Sequence, residues 1–432
     1  MVNRTFVSFP ITDYTVFKQQ MLNWATRFNI CCLLDNHKYS SVHHSYECIL
    51  AAGSRHHIES SAPDAFSALK IFYNLHKDWM FGHFSYDLKN ESSVFTSRHP
   101  DNINFPDLFF FVPEIIVMIK EGEVRINDPE GNAEEILREI LAADVIQNTF
   151  VNNPVEFRQR FSEAEYIQTI QSLQQHILRG DCYEINFCQE FYANPVRLDT
   201  KTAFNLLGNE SPNPFSAFYK LNDKYLLCAS PERYLKKTGQ KLISQPIKGT
   251  WKRNFESVEA DNRNRVLLQE NKKERSENVM VVDLVRNDLS TICDEGTVRV
   301  EELYGVYTFP QVHQMISTIT GILPVNKDWI DAVEATFPMG SMTGAPKRKV
   351  MELIEQYERT RRGIFSGALG YVNPEGDMDF NVVIRSILYN ETNEYLSYQV
   401  GSGITFYSDP KSEYEECLLK ASAIKKVLSG KA

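Results

Sequence analysis

The sequence predicts an α+β fold of large, mostly antiparallel sheets packed together, with helices on the outside. Three observations predict it. Strand-like runs outnumber helical ones. They often follow each other directly, without the strand–helix alternation that a parallel sheet requires. Hydrophobic residues make up 43% of the 432 residues against 24% charged, a balance that fills a sizeable core and excludes a disordered chain.

Residues 1–150 form the N-terminal region, where short apolar runs such as 30–34 and 109–119 alternate with polar turns. Asn148, Asn152, Asn153 and Pro154 mark the expected boundary to a second, catalytic region, 151–432. There Ser162 and Glu165 form a capping box, Ile167, Ile170, Leu173 and Ile177 follow helical spacing, and Gly180 stops the helix. A strand is expected over 182–191, with Tyr183, Ile185 and Phe187 on one face and Glu184 and Asn186 on the other. Further strands are expected over 225–230, 367–372, 380–388 and 395–400, and helices over 262–288, 345–357 and 410–427.

The formal net charge of −10 argues against nucleic acid or an anionic membrane as the main partner. No run reaches the ~20 apolar residues of a membrane helix, and no secretory signal opens the chain, so a cytoplasmic location is expected. The eight cysteines contain no C-x-x-C pair, so neither a disulfide framework nor a cysteine zinc site is expected.

Several residues carry chemistry. Glu274 and Glu277 stand three apart on an expected helix, and Glu413 and Glu416 repeat the pattern after a glycine turn. Taken alone, each pair is more simply a solvated helix face, but four converging carboxylates would suit a hard divalent cation. The stretch Gly340-Ser341-Met342-Thr343-Gly344-Ala345-Pro346-Lys347 opens a helix, where free backbone N–H groups would hold an anion. Lys347 opposes the dipole of that first turn and so needs another reason to be there. Arg385 ends the apolar run Val382-Val383-Ile384, either paired inside the fold or poised to grip an anion. Lys248 sits between Pro246 and Gly249, solvated or, if buried, a nucleophile. His313 by itself reads as a satisfied core histidine.

Together these pieces resemble the chorismate-utilising family, which includes anthranilate synthase component I, aminodeoxychorismate synthase component I, and isochorismate and salicylate synthases. The matching blocks are Gly180-Asp181-Cys182-Tyr183-Glu184-Ile185-Asn186, Ser230-Pro231-Glu232-Arg233, Pro246-Ile247-Lys248-Gly249-Thr250, residues 277–289 and 340–347, Arg361-Arg362-Gly363, residues 367–371, Ile384-Arg385 and residues 401–420. They occur in family order over the last three-fifths of the chain.

The resemblance implies a chorismate site with one Mg²⁺, held by Glu277 and Glu416 and supported by Glu274 and Glu413. Gly401 and Gly403 would hold the ring carboxylate with the metal, and Arg385 the other carboxylate. Thr343, Gly344, Lys347 and Lys420 would line the site. Glu232 matches the acid that helps the C4 hydroxyl leave, and His313 the histidine beside the reacting ring. Family members that add water carry a lysine at the position of Glu184, which speaks against that branch. Lys248 is similar to the lysine of the C4-aminating branch, where it attacks C2 before ammonia adds at C4. The implied activity is conversion of chorismate and ammonia to 4-amino-4-deoxychorismate, for p-aminobenzoate and folate synthesis. Its pocket is expected to be cation-rich and to lower the lysine pKa. Phe365 stands where anthranilate synthases carry a tyrosine, and Asn36 replaces a serine of the N-terminal tryptophan pocket. No Gly-x-Cys-x-Gly glutaminase elbow is present, so a glutamine amidotransferase subunit is the expected ammonia source. The alternatives are anthranilate synthase component I, or a non-catalytic subunit that binds chorismate or tryptophan.

Overall fold

Two antiparallel sheets carry the fold. The computed structural model describes residues 4–39, 43–92, 96–146, 155–309 and 312–429. Among them the larger sheet has 12 strands and the smaller 10. Both draw strands from either side of residue 150: Ile30–Asp35 pairs with Phe215–Leu221 in the larger sheet, and Met80–Phe84 pairs with Ala368–Val372 in the smaller. The regions 1–150 and 151–432 therefore share both sheets. The asparagine–proline stretch at 148–154 lies outside the described residues.

The hydrophobic core forms two layers. One gathers the facing sides of both sheets around Phe81, Phe84, Phe110 and Trp329, and buries Phe365 as well. The other lies between the larger sheet and its helices, where Ile185 and Phe187 meet Tyr166, Ile170 and Leu173. Those three residues come from the expected helix, Glu163–Leu178, which is capped by Ser162 and Glu165 as its sequence indicates. The strand after it runs Glu184–Ala193, so Cys182 and Tyr183 precede it, and Tyr183 is exposed.

Three expected elements are each broken in two. The run 380–388 supplies Met378–Val382 to the smaller sheet and Ser386–Asn390 to the larger. The crossing falls at Arg385, whose backbone is left-handed at φ +51°. The run 262–288 is Val258–Glu270 followed by Lys272–Ser290, parted at Asn271, whose side chain caps the second helix. The C-terminal run is Pro410–Lys420 and Ser422–Leu428, parted at Ala421. Among the described residues no helix is long and apolar enough to cross a membrane.

Candidate active site

Lys248 marks the centre of the site. It lies on the Ile247–Lys252 strand, whose register against Val312–Ile322 slips between Ile247 and Thr250. Such a bulge re-aims a side chain out of the regular ladder, and Gly249 provides the left-handed residue, φ +100°, that makes it possible. The Lys248 ammonium donates to Glu184 Oε1 at 2.8 Å and stands 4.0 Å from Glu277 Oε2. The pair rests against Gly403, where a Cβ would overlap Nζ and come within 2.7 Å of Glu184 Oε1. Any other residue at 403 would displace the pair.

The pocket around Lys248 is therefore rich in carboxylates rather than cations, the reverse of the expectation. Burial alone would lower the lysine pKa, but Glu184, Glu277 and Glu416 outweigh it and hold the ammonium well above its ordinary range.

Glu232 has the opposite character. It is 5% exposed, and burial pushes its carboxyl up to about 7 against the pull of a Ser341 hydrogen bond, Lys248 and Arg385. A carboxylic acid that keeps its proton near neutrality is a donor for a leaving hydroxyl. Arg385 is half-buried, and its guanidinium makes no hydrogen bond or ion pair among the described residues. A non-glycine residue held left-handed costs free energy that a functional site can justify. The result is a planar cation with a free bidentate face, suited to a carboxylate.

Four glutamates stand beside this centre on two helices, Lys272–Ser290 and Pro410–Lys420. Burial raises the pKa values of Glu274 and Glu277, and the other glutamates add to the rise. Glu277 Oε1 is buried without a hydrogen-bond partner. Lys273 lies between Glu277 and Glu413, at 3.6 and 3.8 Å, while Lys420 pairs with Glu416 at 2.7 Å and depresses its pKa. Among the described residues no three acidic, histidine or cysteine side chains stand at the spacing of metal ligands. A buried carboxylate oxygen that accepts no hydrogen bond, with the Lys273 ammonium 3.6 Å away to offset mutually repelling carboxylates, nevertheless fits a hard cation.

Other expected site residues have different work. The Lys347 ammonium donates to Asp288 at 2.7 Å and to the Thr336 carbonyl at 3.1 Å, so it bridges two elements and is not free for substrate. That bridge is the reason a cation sits in the first turn of Lys347–Tyr357. The Thr343 hydroxyl donates to the Met339 carbonyl at 3.1 Å, within its own loop. Gly344 packs so closely on the Glu184 backbone that a Cβ would collide with its carbonyl oxygen. Lys420 also donates to the Gly401 carbonyl at 3.0 Å. The buried His313 bonds Thr308 Oγ1 at 3.0 Å and Asp261 Oδ1 at 2.9 Å, which engages both ring nitrogens. Reasoning from sequence missed Glu184 as the partner of Lys248 and Ser341 as the partner of Glu232. The first carried a signal, since the period-two reading already set Glu184 on the face opposite Ile185 and Phe187.

A buried acid, a half-buried lysine held by carboxylates and an arginine unpaired among the described residues, joined by two antiparallel sheets, define an enzyme that works on a small anion. The chain belongs to the family of chorismate binding enzymes, which its residues 29–426 match. It is 34% identical over 348 residues to aminodeoxychorismate synthase component 1 of Klebsiella aerogenes, covering 79% of this chain and 75% of that protein. It is 30% identical over 357 residues to anthranilate synthase component 1 of Thermus thermophilus, covering 80% and 76%. Its fold is that of anthranilate synthase component I from Streptococcus pneumoniae, with TM-score 0.77, 24% identity, and 90% and 93% of the two chains covered.

Proposed function

We propose that this chain aminates chorismate at C4, giving 4-amino-4-deoxychorismate, the precursor of p-aminobenzoate. The observation that carries the reading is Lys248, half-buried between Glu184 and Glu277 within the electrostatic reach of Glu232. Lys248 must lose a proton to attack, and Glu184, in contact at 2.8 Å, is placed to take it. The lysine nitrogen bonds C2, the ring double bonds shift, and the C4–oxygen bond breaks. Glu232 donates its proton to the departing oxygen, which leaves as water. Ammonia then bonds C4, the Lys248–C2 bond breaks with the reverse shift, and the surplus ammonia proton returns to the lysine. Two difficult displacements are thereby separated by a covalent intermediate.

Arg385 would grip one carboxylate of the substrate. Glu277 and Glu416, supported by Glu274 and Glu413, would hold Mg²⁺, which when bound neutralises the other carboxylate and lowers the cost of bringing a dianion among glutamates. The relatives' designation as component 1 and the missing glutaminase elbow support a second, amidotransferase subunit as the ammonia source. Purified chain should turn over chorismate with ammonium and Mg²⁺, and not with glutamine. Glutamine-dependent product from the chain alone would overturn the second subunit.

The match to an anthranilate synthase favours one second reading, amination at C2 with loss of pyruvate. Mass spectrometry of the product decides between them: aminodeoxychorismate supports the first reading, and anthranilate refutes it.

A further inference from the structure

The strand that carries Glu184 has an incomplete edge. On one side Glu184–Ala193 pairs fully with Tyr395–Ile404. On the other it meets Gly344–Ala345 only at Glu184 and Ile185, and Arg158–Gln159 only at Phe191 and Tyr192. Between these short pairings the edge is closed by side chains. Arg362 Nη2 donates to the Asn186 carbonyl at 2.7 Å, and Glu358 Oε1 accepts the Cys188 N–H at 2.9 Å. The two side chains also bind each other, with Nε to Oε2 at 3.0 Å and Nη2 to Oε1 at 2.6 Å, and are 1% and 2% exposed.

The same guanidinium reaches the neighbouring loop. Nη1 donates to the Met342 carbonyl at 2.6 Å. Asn186 binds the loop twice more, its N–H to the Thr343 carbonyl at 2.8 Å and its Nδ2 to the Ser341 carbonyl at 2.9 Å. One planar, five-donor group thus ties the strand bearing Glu184 to the loop bearing Ser341, and Gly340 and Ser341 line one cavity with Glu232.

We propose that Arg362, clamped by Glu358, is a positioning residue that sets the spacing between Glu184, the partner of Lys248, and the Ser341 loop that lines the cavity beside Glu232. Arg362 touches neither reacting group. It fixes both ends of the site at once: the proton acceptor beside the nucleophile and the hydroxyl beside the acid. An ammonium at 362 would keep the charge but lose the fork that binds Met342, Asn186 and Glu358 together. This inference rests on the roles given above to Lys248 and Glu232.

The test is Arg362→Lys in the full-length chain, with two readouts. The first is steady-state amination with ammonium. Because Arg385 is untouched, kcat should fall at least tenfold while KM for chorismate stays within about threefold. The second needs no turnover: the protonation midpoint of Glu232, followed by infrared spectroscopy of its carboxyl band and assigned with Glu232→Gln. Slackening the loop moves the Ser341 hydroxyl away from Glu232 and weakens its lowering pull, so the midpoint should move up, against the unchanged pull of Lys248 and Arg385. A merely structural arginine would lower the melting temperature and leave both the midpoint and the kcat per folded molecule as in the wild type, and that result overturns the proposal. Should Arg362→Lys not fold, Glu358→Gln, which keeps an oxygen for the Cys188 N–H, is judged by the same two readouts. If the wild type makes no aminodeoxychorismate, the functional reading fails. The midpoint shift then still decides whether Arg362 positions Glu232.

Discussion

Lys248 and Lys347 make nearly the same contact and stand in different roles. Each ammonium donates to a buried carboxylate, Lys248 to Glu184 at 2.8 Å and Lys347 to Asp288 at 2.7 Å. Around Lys347 the contact is closed: its second hydrogen bond goes to the Thr336 carbonyl, and the bridge joins three helices, Lys272–Ser290, Trp329–Thr336 and Lys347–Tyr357. Around Lys248 there is a surplus of negative charge from Glu277 and Glu416, and a glycine clears the space beside it. The difference teaches that a buried lysine–carboxylate pair says little about function by itself. What distinguishes a working lysine is the unsatisfied charge around it.

The largest expected effect is on Lys248. Lys248→Ala should lower C4 amination by roughly 10³-fold or more, because it removes a nucleophile rather than a binding charge. Mass spectrometry of the wild type with chorismate and no ammonia should show an adduct on Lys248. Normal aminodeoxychorismate production by the variant, together with no adduct, would erase the contrast with Lys347.

Next comes the surplus charge itself. Glu277→Gln removes the carboxylate whose Oε1 accepts no hydrogen bond, and Glu416→Gln acts on the neighbouring helix. Each should cut Mg²⁺-dependent turnover by about two orders of magnitude with an unchanged circular dichroism spectrum. A Mg²⁺ titration checks this, and full activity of either variant at low Mg²⁺ would refute the ligand assignment.

Glu232 should follow at about 10²-fold for Glu232→Gln. The acid is competent while protonated, and burial sets its pKa at about 7, so kcat should fall on the alkaline side of that value. A kcat profile flat across pH 6–8 would remove Glu232 from the acid's role.

Much of this was legible in the sequence, for identifiable reasons. Local signals read correctly: the Ser162 cap, the helical spacing after it, and the alternation that set Glu184 opposite Ile185. Antiparallel pairing followed from strands in succession. Long-range partners could not be read. Nothing local tells Lys347 that Asp288, 59 residues earlier, lies within reach. Nothing in Val382-Val383-Ile384 announces that the chain changes sheets at Arg385, since both halves of the run are equally apolar. The expected cation-rich pocket failed for the same reason. The charges around Lys248 come from three distant segments, and their net sign is settled only by the fold.

The smallest effect on catalysis, and the sharpest on the comparison, concerns the closed bridge. Burial raises Asp288 from its ordinary value to about 6 despite Lys347, so the charged pair stands in an environment that disfavours it. The sign follows from linkage. A carboxyl with a raised folded-state pKa adds stability at low pH, and that contribution is lost as pH rises through about 6. Asp288→Leu alone strands a half-buried ammonium that keeps only the Thr336 carbonyl, and should destabilise the protein by ~1–3 kcal/mol at pH 7. The double variant Asp288→Leu/Lys347→Met removes both charges and should recover most of that loss, with a weaker decline in stability across pH 4–7 than the wild type shows. Its kcat should fall less than tenfold, and its product should stay the same. Denaturant melts at several pH values, paired with product analysis, test both halves. If the double variant stays as unstable as the single one, the bridge is worth more than two packed apolar side chains. If it changes the product, Lys347 reaches the substrate after all, and the two lysines are alike.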